Sequence, residues 1–216
     1  MNIELLREDV GRWGWVRSIY SRVIGRLGKH LGIHIYSIWT RPLVTNPPDT
    51  KLPPGISLRI LDREMLLAAF EDSELGLSCE FVESALARGD VAVGALDGTT
   101  LVAYDWRTVS AAPDHDGLWT KINRPYRYGY NTFTHPKYRG KHISTAISFF
   151  SDTYFLERGY TERIGYVDIS NLPSLAARKH RGEERIGFAG YVKWFGCYFM
   201  FRTPAVKRTG FELFLK

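Results

Sequence analysis

Cysteine is scarce, with only Cys79 and Cys197 in the chain. Two thiols so far apart in sequence supply neither a disulfide framework nor a CxxC-type zinc cluster, so a reducing compartment and no bound metal are expected. Long apolar runs are missing as well. No stretch approaches about eighteen uninterrupted apolar residues, and no membrane-spanning helix is expected. The twenty glycines and ten prolines follow no period, which excludes collagen-like and low-complexity architectures; no block recurs at solenoid or propeller spacing either. The first residues, MNIELLRED, carry Glu4, Glu8 and Asp9 where a secretory leader would be basic, so a cytoplasmic location is expected.

What is present is a chain of 216 residues, 44% hydrophobic and 24% charged. That is enough for one substantial core with an appendage, and too apolar for general disorder. Its 29 basic residues against 23 acidic ones leave a net charge of +6, a modest excess. Neither a helix-turn-helix nor an RNP pattern accompanies it, so no nucleic-acid partner is expected. The excess is concentrated in residues 1–31, where Arg7, Arg12, Arg17, Arg22, Arg26 and Lys29 face three acids and are interleaved with Trp13, Trp15 and Tyr20. Leu6, Val10, Trp13, Val16, Tyr20, Ile24, Leu27 and Leu31 repeat every three or four residues, the spacing of one helical face. This amphipathic helix either packs on the main domain or lies peripherally at a membrane interface.

Three regions follow. Residues 1–45 form a helix-and-strand extension, the strand being Ile33–Arg41. Residues 46–55, with Asn46-Pro47-Pro48 and Leu52-Pro53-Pro54-Gly55, are a Pro-rich linker. Residues 56–216 are the main domain. It opens with a strand at Ile56–Leu61, helical patterns over Arg63–Asp72 and Cys79–Arg88, and a strand at Val91–Leu96. Asp97-Gly98 is a hairpin signal leading into the next strand. A polar loop, AAPDHDGLWTKINRP, precedes a strand at Tyr126–His135, in which Tyr126, Tyr128, Tyr130, Thr132 and Thr134 alternate on one side.

After that strand the sequence reads HPKYRGKHISTAISFF: a proline stop, a short basic loop with one glycine, then helical periodicity over Ile143–Leu156. A tight basic loop between a strand and a helix is suited to phosphate, because unpaired amides and the helix dipole point at the ligand while Arg139 and Lys141 add full charges. A second strand then leads to DISNLPSLAARKHRG. The order strand, HPKYRGKHIST, helix, strand, DISNLPSLAARKHRG, strand resembles the GCN5-related N-acetyltransferases (GNAT superfamily) over roughly residues 56–202. The resemblance implies an α/β fold with a mixed, splayed central sheet flanked by helices. It also implies acetyl-CoA, or another acyl-CoA, as cosubstrate with no metal. Carried over, the family's phosphate loop falls on Arg139, Gly140, Lys141, His142, Ile143 and Ser144, with His142 and Ser144 in glycine positions of the family pattern. Thr132, Phe133 and Thr134 would flank the pantetheine arm, and Asn171 and Ser174 would meet the cofactor from the next helix. Asn171 reads equally well as the cap of that helix.

Acyl transfer to an amine needs a neutral nucleophile, an oxyanion donor and an acid for the departing thiolate. A backbone amide near Phe133–His135 would supply the donor. The family's tyrosine acid corresponds to Arg178, which cannot donate a proton near neutrality but could stabilise a thiolate. The carboxylate positions of relatives correspond to Tyr128 and Tyr166. Asp168, on the same strand face as Tyr166, is either a base or a turn-forming residue.

The implied function is N-acetyl transfer from acetyl-CoA to a primary amine of a small-molecule acceptor. One alternative is a long-chain N-acyltransferase that uses acyl carrier protein or works at a membrane surface. Another is a non-catalytic acyl-CoA-binding module. A homodimer is among the open oligomeric states. The carboxy-terminal run YVKWFGCYFMF reads as two paired core strands.

Overall fold

The computed structural model describes residues 23, 25, 28, 31–45, 51–69, 73–114 and 117–216. Most of the predicted amino-terminal helix therefore lies outside the described residues, as do Asn46–Thr50 of the linker and Phe70–Asp72; residues 23, 25, 28 and 31 are helical. The strands are β1 (Ile33–Pro42), β2 (Ile56–Leu61), β3 (Val91–Asp97), β4 (Thr100–Thr108), β5 (Ala111–Pro113), β6 (Leu118–Lys121), β7 (Tyr126–Thr134), β8 (Glu162–Asp168), β9 (Glu184–Trp194), β10 (Cys197–Arg202) and β11 (Glu212–Leu215). The helices are α1 (Arg63–Ala68), α2 (Cys79–Ala87), α3 (Ile143–Leu156), α4 (Leu172–His180) and α5 (Pro204–Arg208). This is a mixed α/β fold, with helices flanking mixed sheet, of the class the sequence implies.

The chain divides into two compact units. The first holds residues 42–117 and 122–164. In it β2, β3, β4 and β7 pair antiparallel in that order, and β7 then pairs parallel with the start of β8. α3 covers one face. Ile143 and Ile147 pack there against Val93, Ala95, Val102 and Ala103, all of them buried. Removing each isoleucine from water stabilises this packing by about 1.5–3 kcal/mol. Asp62 and Ser78 cap α1 and α2 by accepting from the Met65 and Phe81 amides at 2.8 and 3.2 Å.

Under the middle of α3 the packing turns ionic. Arg107 pairs with Asp105, and Arg127 with Asp152. Arg127 also donates to the Ser148 carbonyl at 2.9 Å, and Arg163 to the Ser148 hydroxyl at 2.8 Å. All six side chains are buried, and Gly129 makes room for one of them: a Cβ there would collide with Arg107 Nη1.

The other unit holds residues up to Arg41, 118–121 and 165–216. Here β10, β9 and β1 lie side by side, antiparallel, and the Ser37 hydroxyl on β1 donates to the Val167 carbonyl of β8 at 3.0 Å. β11 pairs antiparallel with β6.

Several expectations need correction. The polar loop before Tyr126 contains two strands; Leu118 and Thr120 alternate inward on β6 because β11 supplies a partner that is invisible locally. The first hairpin turns at Gly98-Thr99 rather than Asp97-Gly98, since Asp97 pairs with Thr100. The first helix is Arg63–Ala68, and 70–72 of the expected stretch lie outside the described residues. YVKWFGCYFMF does form two paired strands, but much of it is not core: Trp194, Phe195, Phe199 and Phe201 are all exposed.

Candidate functional site

The predicted phosphate loop lies wholly within the first unit. β7 is interrupted by a bulge before it reaches that loop. Tyr130 pairs with Trp106 and Phe133 with Tyr104, so Asn131 and Thr132 together oppose the single residue Asp105. Asn131 makes the extra residue possible by taking the left-handed conformation, φ +44°, which asparagine tolerates better than most side chains. The bulge resets the strand's alternation. Tyr128, Tyr130 and Phe133 share a face, and Phe133 stacks on Tyr104 with centroids 5.7 Å apart. The expected row of Tyr130, Thr132 and Thr134 is therefore broken.

The parallel register of β7 with β8 runs only from Tyr126↔Glu162 to Tyr128↔Ile164. Beyond it, Asn131 and Thr132 are exposed and Phe133 and Thr134 half-buried. The His135 amide donates to Val102 O on β4 at 2.9 Å. Alternation along the strand then turns the Thr134 amide and carbonyl toward the opposite edge. Arg139 Nε donates to that Thr134 carbonyl at 3.1 Å, folding the loop back on the strand.

A single 3-10 turn, Pro136–Tyr138, follows. His135 is held on both ring nitrogens: Nδ1 accepts from the Lys137 amide at 3.3 Å, and Nε2 lies 2.7 Å from Glu74. The Tyr138 hydroxyl donates to Asp97 at 2.6 Å, and this hydrogen bond raises its pKa above the ordinary tyrosine value. Lys141 Nζ sits 5.0 Å from the centre of the Tyr138 ring. Glu74 and Asp97, neither of which the sequence marks as part of this site, thus brace a basic loop through His135 and Tyr138.

Gly140 and His142 both have positive φ, +77° and +59°, and His142 ends the loop as the N-cap of α3 without a side-chain cap bond. Arg139 N bonds Pro136 O, and the Thr145 and Ala146 amides bond His142 O. Between them, the amides of Gly140, Lys141, His142, Ile143 and Ser144 have no backbone acceptor among the described residues. Five successive donors, two left-handed residues and the start of a helix of 14 residues are the backbone arrangement that suits an anion. Arg139, Lys141 and His142 are exposed around it, while Ile143 is buried and anchors the helix end.

The remaining sequence-derived residues fall elsewhere. Tyr128 is buried on β7, stacked with Tyr130 at 6.2 Å. In the other unit, the half-buried Tyr166 meets Tyr36 and Phe211, with centroids 4.7 and 6.1 Å away. Asp168 accepts from the Ser170 amide at 2.7 Å and from its hydroxyl at 2.5 Å, the geometry of an Asx turn. Asn171 Oδ1 caps α4 by accepting from the Ser174 amide at 3.1 Å. Arg178 is buried. It pairs with Glu183 at 2.6 Å and donates to the Tyr166 carbonyl at 3.1 Å, lying over Gly165, where a Cβ would stand 2.7 Å from its Nη1.

No protein-family model matches the chain, and no curated protein does. Solved structures do match. A GCN5-related N-acetyltransferase from Sphaerobacter thermophilus superposes with a TM-score of 0.51 at 15% identity, covering 76% of this chain and 53% of its own. A Drosophila protein gives 0.51 at 14% identity, with 82% and 58% covered. A tandem GNAT protein from the clavulanic acid biosynthesis pathway gives 0.48 at 17%, with 74% and 55% covered. The chain spans a little over half the length of each of these three. It has the fold of the GCN5-related N-acetyltransferases, in agreement with the sequence resemblance.

Proposed function

We propose that this protein is an acyl-CoA-dependent N-acyltransferase, moving an acetyl group from acetyl-CoA directly to a primary amine of a small molecule. The observation that carries the reading is the run of five amides without backbone acceptors, Gly140–Ser144, at the start of α3. Their donors match a diphosphate, and Arg139 and Lys141 contribute charge-assisted contacts. Beyond Tyr128 the edge of β7 has no strand partner among the described residues, which suits the amides of a pantetheine arm, since these can add to a strand as an extended peptide does. The Thr134 amide on that edge is our candidate donor to the thioester carbonyl, with Thr132 and Phe133 flanking the arm.

Asn171 uses its side-chain oxygen for the cap and keeps its NH2 for a ligand; Ser174 stays with it in this assignment. Asp168 keeps one carboxylate oxygen outside its turn and is our candidate base. Tyr128, which shares a face of β7 with Tyr130 and Phe133, is assigned to shaping the site beside that strand, and Tyr166 is proposed as a site residue from the family resemblance alone. For Arg178 the charge-based role toward a thiolate is proposed from the family resemblance alone, and within its own unit Glu183 holds it.

The test is direct. Calorimetric titration of the protein with coenzyme A should give saturable binding, weakened by Arg139→Ala and by Lys141→Ala by about 1–3 kcal/mol each. Unchanged affinity in both variants would refute the loop assignment. Release of free thiol from acetyl-CoA with a panel of amines tests transfer. Binding without release would favour the non-catalytic module, a reading that the Arg178–Glu183 pair also favours.

A further inference from the structure

The β9–β10 hairpin carries a feature that the acyl-transfer reading does not use. Trp194 pairs with Cys197, so its two-residue turn is Phe195-Gly196. Such turns favour Asn-Gly, because both positions need positive φ. Here the first position is phenylalanine at φ +45°, a conformation that bulky side chains avoid. Its ring is 92% exposed and Trp194 is 61% exposed, the two rings meeting edge to face at 5.2 Å. The fold gains little buried surface from the aromatic that it holds in this conformation.

The apolar character continues down the hairpin. Phe199 pairs with Val192 and Phe201 with Gly190, so both lie on the Trp194 face, and both are exposed. The ring of Phe201 fits over the bare Gly190. Leu31, also exposed, precedes Gly32, whose carbonyl accepts from the Lys193 amide at 2.7 Å. The apex is apolar and the cation stands one residue behind it: Lys193 Nζ lies 5.2 Å from the Tyr198 ring centre. Residues 165–216 hold nine Lys and Arg against four Asp and Glu.

We propose that the Trp194-Phe195 apex inserts into an anionic lipid surface, with Phe199 and Phe201 at the boundary and Lys193 at headgroup level. Tryptophan and phenylalanine gain at that boundary, and basic residues behind them are drawn to anionic lipid. A second copy of the chain would bring the same positive charge to the patch, which disfavours self-association there. The proposal does not rest on the acyl-transfer reading and is tested without a substrate.

The full chain is floated with phosphatidylcholine vesicles and with vesicles in which part of that lipid is phosphatidylglycerol. Binding to the anionic vesicles only, weakened by salt, is expected. Trp194→Ser with Phe195→Ser should lower the partition coefficient by about tenfold or more. Phe195→Asn suits the left-handed turn, so it should keep or raise the melting temperature while still losing vesicle binding. The parent protein's tryptophan emission should shift to the blue on meeting the vesicles, and Trp194→Phe should remove that shift. Equal binding by parent and hairpin variants would overturn the proposal, as would an apex-dependent dimer that forms without vesicles and shows no affinity for them.

Discussion

Gly140 and His142 hold the same left-handed hand of backbone, φ +77° and +59°, with Lys141 between them. At Gly140 this costs little. At His142 it costs roughly 1–2 kcal/mol for an L side chain, and the imidazole makes no cap bond in return. The loop therefore needs the backbone shape and not the ring. His142→Gly should leave stability unchanged or raise it by up to about 1 kcal/mol, after the added freedom of glycine in the unfolded chain is offset. Urea denaturation checks this. Coenzyme A affinity should stay within about twofold, whereas His142→Val should lower both stability and affinity.

The Asn131 bulge invites a similar comparison. Asn131→Gly keeps φ +44° accessible, and stability should change by less than about 1 kcal/mol. Asn131→Val must either pay the strain of a β-branched left-handed residue or lose the bulge; about 2 kcal/mol of destabilisation is expected. Loss of the bulge would also return Phe133 and Thr134 to the uninterrupted alternation, so coenzyme A binding should fall more than stability does. A valine variant with parental stability and parental affinity would show that the bulge does not organise the strand end.

These two positions mark the limit of what the sequence makes legible. The bounds of β2 and α3 follow from periodicity and agree with the structure, because apolar spacing over six or more residues records burial directly. The basic loop is legible for the same local reason. The rephasing after Tyr130 is not, since a bulge adds one residue and inverts every later assignment, although an asparagine near a strand end is a usable hint. β6 escapes notice because its partner β11 lies about ninety residues on. Arg178 looks like a solvated helix residue until Gly165 and Glu183, from separate elements, close around it.

That enclosure can be measured. Glu183 is buried and accepts from both Arg178 and Arg181, at 2.6 and 2.8 Å. Arg178→Ala removes one charged partner of a buried carboxylate, so a loss of about 3 kcal/mol is expected. Gly165→Ala drives a methyl toward the guanidinium and should cost about 1–3 kcal/mol. The two changes share one contact, so the double variant should lose less than the sum of the single losses. Additive losses in chemical denaturation would show that the arginine and the glycine act independently.

Tyr104 gives the fold a signature in alkali. Its hydroxyl donates to the Leu75 carbonyl at 2.7 Å, and burial pushes its pKa from the usual 10.0 up to about 12. Burial, followed by the hydrogen bond to Asp90, raises Tyr130 too. In the window between those values, the unfolded chain has released the Tyr104 proton and the native protein still holds it. The native state binds more protons there, so stability is full below about pH 10 and declines as pH rises through about 12. Unfolding midpoints measured across this range should fall steadily. Tyr104→Phe should flatten the decline while lowering stability at neutral pH by about 1 kcal/mol through the lost hydrogen bond. Should the phenylalanine variant decline as steeply as the parent, the alkaline loss belongs to other groups, and the phenol of Tyr104 ionises natively at its ordinary value.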